Sequence, residues 1–269
     1  MSTTTTPERL SDQELGRMIE LIKDSDSVEL KLSVPEADQR SAILALGMDP
    51  LEAQIRQVFF FDTPDLALNA SGVVVRARRV QKKGDDSVVK LRPVVPANLR
   101  AEMRQSPAFG VEVDAMPGGF VCSGSMKGVL GTTDVQEFVT GNRPIRKLFT
   151  KEQRAFYAEH APSGIALDDL TMLGPIFVLK LKWTPKGFDR KMVAEAWLYP
   201  DNSRILELST KCTPSEAFQV AAEARAFLAG QGVDVGGEQQ TKTKRALEFF
   251  AEQLKATTDA RAVDEPSAG

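Results

Sequence analysis

Residues 27–34, Ser-Val-Glu-Leu-Lys-Leu-Ser-Val, alternate strictly between polar and apolar side chains. A β-strand sends successive side chains to opposite faces. Val28, Leu30, Leu32 and Val34 therefore share one face, and Ser27, Glu29, Lys31 and Ser33 the other. A single strand of this kind would mark only a solvated sheet face. Here the same segregation of ions from apolar residues recurs along the chain. Residues 73–80 carry Arg76 and Arg78 on one face, and 87–92 carry Lys90 and Arg92. Residues 109–114 carry Glu112 and Asp114, 176–183 carry Lys180 and Lys182, 191–199 carry Glu195, and 204–211 carry Glu207, Ser209 and Lys211. Residues 57–62, with Phe59, Phe60 and Phe61 in succession, add one more strand.

Amphipathic helices are expected between and after these strands. Ser11 with Glu14, Ser33 with Glu36, Thr150 with Gln153, and Thr213 with Glu216 have the spacing of capping boxes, and Thr133 is followed three residues later by Gln136. They open helices over 11–23, 35–46, 150–160, 214–229 and 133–139, and a last helix covers 242–254. Such helices need an apolar surface to pack on, and the strands offer one only on a single face. Eight strands joined by short turns suffice to close a barrel. The expected fold is therefore α+β: an eight-stranded, mainly antiparallel closed β-barrel, with the helices outside and the charges lining a tunnel. Residues 117–173, the least strand-like stretch, read as an insertion in a single domain spanning 11–255. Residues 1–10 and 256–269 read as a disordered leader and tail.

That interior would hold Lys31, Arg76, Arg78, Lys90, Arg92, Lys180, Lys182 and Lys211 against Glu29, Glu112, Asp114, Glu195 and Glu207, a cationic excess inside a chain of formal net charge −3. Unpaired buried charge is costly, so such a cavity must be wet, internally paired or filled by a polyanion. Arginine and lysine at several heights match a chain of phosphates, and carboxylates beside phosphates are the usual setting for Mg²⁺. One histidine and two widely separated cysteines leave little room for histidine-based or thiol chemistry, or for a zinc site. An acidic chain without an exposed basic, aromatic stripe argues against nucleic acid as partner. No apolar run approaches the roughly 20 residues of a membrane span, so no membrane partner is expected either. The first residues lack an apolar signal core, which places the expected location in the cytoplasm.

In the order and spacing of its motifs the chain resembles the CYTH superfamily of triphosphate tunnel proteins, which includes inorganic triphosphatases, thiamine triphosphatases and class IV adenylyl cyclases. The resemblance spans about residues 25–255. Ser27-x-Glu29-x-Lys31 stands where the family has Glu-x-Glu-x-Lys, and Phe61-Asp62-Thr63, Gly72 and Arg76-Ala77-Arg78 follow in family order. Lys90 corresponds to the fourth-strand lysine, Glu207-Leu208-Ser209 to the closing Glu-x-Glu, and Lys242-Thr243-Lys244 to the basic C-terminal segment. The resemblance implies that a triphosphate compound (tripolyphosphate, ATP or thiamine triphosphate) is gripped by Lys31, Arg76, Arg78, Lys90, Arg92, Lys180 and Lys182. It further implies that Glu29, Glu195 and Glu207 hold Mg²⁺ or Mn²⁺, with Glu29, Lys31 and Glu207 catalytic, for phosphohydrolysis or cyclase-type chemistry. Serine replaces the family's glutamate at positions 27 and 209, where carboxylates help hold the cations. This substitution keeps open a second function, a non-catalytic polyphosphate- or nucleotide-binding protein.

Overall fold

The computed structural model describes residues 11–117, 119–235 and 242–264. Nine strands form the sheet: β1 (Ser27–Val34), β2 (Gln54–Asp62), β3 (Val73–Val80), β4 (Asp86–Leu91), β5 (Phe109–Met116), β6 (Gly119–Val129), β7 (Thr171–Trp183), β8 (Met192–Leu198) and β9 (Arg204–Cys212). The helices are α1 (Asp12–Lys23), α2 (Gln39–Ala45), α3 (Ala67–Ala70), α4 (Ala101–Arg104), α5 (Asp134–Val139), α6 (Lys151–His160), α7 (Ala217–Gly230) and α8 (Lys242–Asp264). The strands close in the order β1-β5-β6-β4-β3-β2-β7-β8-β9, with β9 returning to β1. Every pairing is antiparallel except β1 with β5.

The barrel thus has nine strands where eight were expected, and the addition is β6, inside the stretch read as an insertion. It bridges β4 and β5, so it is an integral stave. Its sequence hides this because glycines stand at outward positions. A Cβ on Gly128 would lie 2.4 Å from Gln153 Oε1 of α6, and one on Gly124 would lie 2.9 Å from the Phe109 ring. Close approach of α6 and Phe109 demands glycine there, which interrupts the apolar half of the alternation around Cys122 and Met126.

Outward faces carry most of the core. Phe59, Phe61, Val75, Ala77, Val89 and Met126 pack under α5 and α6. Val34, Leu206, Leu208 and Met192 pack under α2 and α7, and Val28, Leu30, Val111 and Val113 under α1 and the start of α7. Phe60, between two outward phenylalanines, faces inward and is equally buried, so the Phe59-Phe60-Phe61 run serves both surfaces of β2. One helix departs from the expected outside position. The Ala246, Leu247 and Phe250 face of α8 packs on Val58, Phe60, Ile176, Val178, Trp197 and Ile205, which share the inward face, and so closes one end of the barrel.

Local signals fare unevenly. Ser11–Glu14 and Thr150–Gln153 form complete capping boxes. Ser33 does not cap: it stays in β1, and the following 3-10 turn starts from Pro35. Thr133 opens α5 without a capping bond. Gln153 also ties α6 to the barrel. Fully buried, it accepts from Ser87 Oγ (2.9 Å) and Thr150 N–H (2.9 Å) and donates to the Met126 carbonyl (3.1 Å). Gln153→Ala leaves these partners unsatisfied and is expected to cost about 2 kcal/mol in urea unfolding. An unchanged midpoint would remove Gln153 from the docking of α6.

Candidate functional site: a tunnel with two charged walls

The inward residues enclose a cavity of about 1000 Å³. Strand parity brings most of the expected site residues to it: Glu29, Lys31, Arg76, Arg78, Lys90, Arg92, Lys180, Glu195, Glu207 and Lys211 all line it. Lys182 does not. It shares the parity of Lys180 but lies one step further toward the strand end, where it is exposed.

The wall formed by β1, β5, β8 and β9 is acidic. Asp114 is wholly buried and is contacted by Lys31 at 2.8 Å and Arg92 at 2.9 Å, with Lys90 at 3.9 Å. Burial opposes its ionisation, but Lys31, Lys90 and Arg92 win and hold its carboxyl below the usual aspartate range. Lys31 also reaches Glu29 at 3.3 Å, and Ser209 donates to Glu29 at 2.9 Å. Desolvation works against the Lys31 ammonium, yet Glu29, Asp114 and Glu207 raise it above the ordinary lysine range. Glu112 pairs with Lys211 and lies 3.5 Å from Ser27 Oγ. Thus Ser27 and Ser209 both sit beside carboxylates.

The wall formed by β2, β3 and β4 is cationic. Arg78 makes a bidentate pair with Asp86, at 2.8 Å for each bond. Arg56 is turned to a neutral acceptor, Gln54 Oε1, at 2.8 and 3.1 Å. Arg76 Nε is shielded from solvent and has no acceptor among the described residues. Burial, reinforced by Arg78, pushes the Arg76 guanidinium down to about 9. Burial likewise pushes Lys90 down to about 8, because Asp114 is already shared with Lys31 and Arg92. This wall holds more positive charge than its own acids neutralise.

At the closed end, Lys180 contacts Glu195 at 2.6 Å, and Lys242 lies between Glu195 and Glu207 at 2.6 and 2.7 Å. Neither Lys242 nor Arg56 was assigned to the site from sequence. Lys242 appeared there only as part of a basic segment opening a helix. Arg56 precedes the expected start of the second strand, although its inward parity with Val58 was available as a signal.

One oxygen each from Glu29, Glu112 and Asp114 lie within 4.8 Å of one another. As a set of hard oxygen donors these three fit Mg²⁺ or Mn²⁺. The expected metal set of Glu29, Glu195 and Glu207 is divided instead, with Lys242 bridging its last two members.

No protein-family model and no curated protein matches the sequence. Solved structures do. A protein described as a candidate adenylate cyclase from Bacillus halodurans superposes with a TM-score of 0.57 at 12% identity, covering 82% of this chain and 97% of that one. A candidate adenylyl cyclase from Hippeastrum, described as having a dominant triphosphatase activity, gives 0.58 at 16% identity over 79% of this chain and 91% of its own. The closed barrel and these likenesses together give the chain the same fold as these two proteins.

Proposed function

We propose that the tunnel binds a triphosphate compound, either tripolyphosphate or a molecule carrying a triphosphate such as ATP or thiamine triphosphate, and acts on it with a divalent cation. The observation that carries this reading is the under-neutralised wall of Arg56, Arg76 and Lys90, in which a buried guanidinium N–H has no acceptor among the described residues. Phosphate oxygens supply what that wall lacks, and arginine suits them bidentately. Arg78, Arg92, Lys31 and Lys180 extend the grip along the cavity.

Glu29, Glu112 and Asp114 are the residues that would hold Mg²⁺ or Mn²⁺, which when bound supplies Lewis-acid polarisation of a phosphoryl oxygen. Lys31, between Glu29 and Asp114, keeps its proton and offsets charge developing on the phosphates. Glu29 and Glu207 are the carboxylates available to orient a nucleophile. Positioning and electrostatics suffice for phosphoryl transfer, so no thiol or imidazole is needed. Hydrolysis needs an oriented water. Cyclisation would use the ribose 3′-hydroxyl of ATP instead.

A second reading, binding without turnover, is favoured by one further observation. Each acid of the tunnel is already met by a cation or hydroxyl of the protein, from Lys31 and Ser209 at Glu29 to Lys242 at Glu207. Calorimetry with tripolyphosphate, ATP and thiamine triphosphate, followed by phosphate-release and cyclic-nucleotide assays with Mg²⁺ or Mn²⁺, separates the two. Tight tripolyphosphate binding without any product would leave only the second reading, and absence of binding to all three would end both. Ser27→Glu adds a carboxylate beside Glu112 and is expected to tighten Mn²⁺ binding about tenfold, because affinity follows the number of charged ligands. An unchanged Mn²⁺ titration would place position 27 outside the cation's reach.

A further inference from the structure

Glu195 and Glu207 face one another directly across the β8–β9 pair. Both point inward near the closed end, with side chains only 16% and 10% exposed. Like charges directly opposed on neighbouring strands repel, and burial strengthens the repulsion. A carboxylate pair in this position needs a cation between its members. A divalent ion is the obvious candidate, since hard cations prefer such oxygens.

Here the place is taken. The Lys242 ammonium lies 2.6 Å from Glu195 Oε2 and 2.7 Å from Glu207 Oε1. Lys180 takes the other oxygen of Glu195 at 2.6 Å, and the Trp197 indole N–H reaches Oε2 at 3.3 Å. Both oxygens of Glu195 are therefore occupied by donors. Two ammonium groups against two carboxylates leave the group neutral. An added divalent ion would meet Lys242 and Lys180 with no free charge to balance it.

Lys242 is also fixed from behind, unlike an ordinary surface lysine. It is the first residue of α8, whose Ala246, Leu247 and Phe250 are buried in the barrel end. Its carbonyl accepts from the Tyr199 hydroxyl at 3.1 Å, and its Nζ lies 5.2 Å from the centre of the Trp197 ring. Apolar packing of the helix thus holds the ammonium against the carboxylates.

We propose that Lys242 is a tethered cation standing where a divalent ion would otherwise bridge Glu195 and Glu207. This pair carries no metal in the working protein, and any divalent ion in the tunnel is confined to Glu29, Glu112 and Asp114. The claim concerns the cation content of the tunnel and holds whichever anion the tunnel binds.

Counting bound Mn²⁺ by electron paramagnetic resonance on the full chain tests it without any phosphate ligand, so its failure is distinguishable from failure of the proposed function. The wild type and Glu207→Gln are expected to bind equal numbers of Mn²⁺, because Glu207 ligates none. Lys242→Met is expected to bind one more than the wild type, and Lys242→Met combined with Glu207→Gln to lose it again. Should Lys242→Met fold only on addition of MnCl₂, that rescue supports the same conclusion. Should it not fold at all, the comparison of the wild type with Glu207→Gln decides. Loss of one Mn²⁺ from Glu207→Gln, or a folded Lys242→Met that gains none, overturns the proposal.

Discussion

Replacing Arg76 by methionine is expected to weaken tripolyphosphate binding by about 100- to 1000-fold while making the ligand-free protein more stable. The two effects share one cause. Arg76 Nε is shielded from solvent without an acceptor among the described residues, and Arg78 lies close enough to disfavour its charge further. Holding a guanidinium this way costs free energy that Asp86 and Glu195 return only in part. Methionine of similar length fills the space without the charge, which should raise the Tm by about 3 °C, or about 1 kcal/mol. Truncating a desolvated, charge-assisted contact with an anion costs about 3–4 kcal/mol, the lower part of the range for buried charge pairs. Lys182→Met serves as the contrast: exposed and outside the cavity, it should shift the affinity less than about threefold. Calorimetry and thermal melts of both variants provide the check. A less stable Arg76→Met that still binds normally would mean that Arg76 is a structural residue, and the cationic wall would lose its assigned purpose.

That the charges face inward was readable once the pattern of residues 27–34 recurred on later strands, because the amphipathic helices need the apolar faces opposite Lys31, Arg76 and Glu207. Parity fixes which face a side chain takes and says nothing of its depth along the barrel. Lys180 and Lys182 therefore read alike, yet one contacts Glu195 and the other reaches solvent. β6 was invisible for a different reason. Its outward Gly124 and Gly128 make room for Phe109 and Gln153, so Cys122 and Met126 are left as an interrupted apolar stripe against Ser123 and Ser125. Lys242 lies on a helix whose period reveals an apolar face. What that face docks into depends on inward residues of β2, β7, β8 and β9, all distant in sequence. The parallel pairing of β1 with β5 is equally non-local, and no turn between adjacent strands announces it.

Lys90 makes the tunnel's grip dependent on pH, and the sign follows from its surroundings. Burial lowers its pKa to about 8. Asp114 and Glu112 of β5 pull it upward, and Lys31 of β1 and Arg92, just after β4, push it down. In the unfolded chain a lysine titrates near 10.4, so between about 8 and 10 the unfolded state binds more protons. In that window the Lys90 contribution makes the empty protein more stable as pH rises, while below about 8 its penalty is fully present. A bound polyanion reverses the preference by favouring the ammonium. Binding above about 8 must then take up a proton, and the affinity should fall about tenfold per pH unit, or about 100-fold from pH 7 to pH 10. Lys90→Arg keeps its charge throughout this range and should flatten that part of the profile. The ligand's own ionisation is common to both proteins and cancels in the comparison. Titration calorimetry at pH 9 in two buffers of different ionisation enthalpy should show proton uptake for the wild type exceeding that of Lys90→Arg by close to one. Identical slopes and identical proton uptake in the two proteins would place Lys90 outside the anion's reach and leave Arg76 to carry that part of the wall.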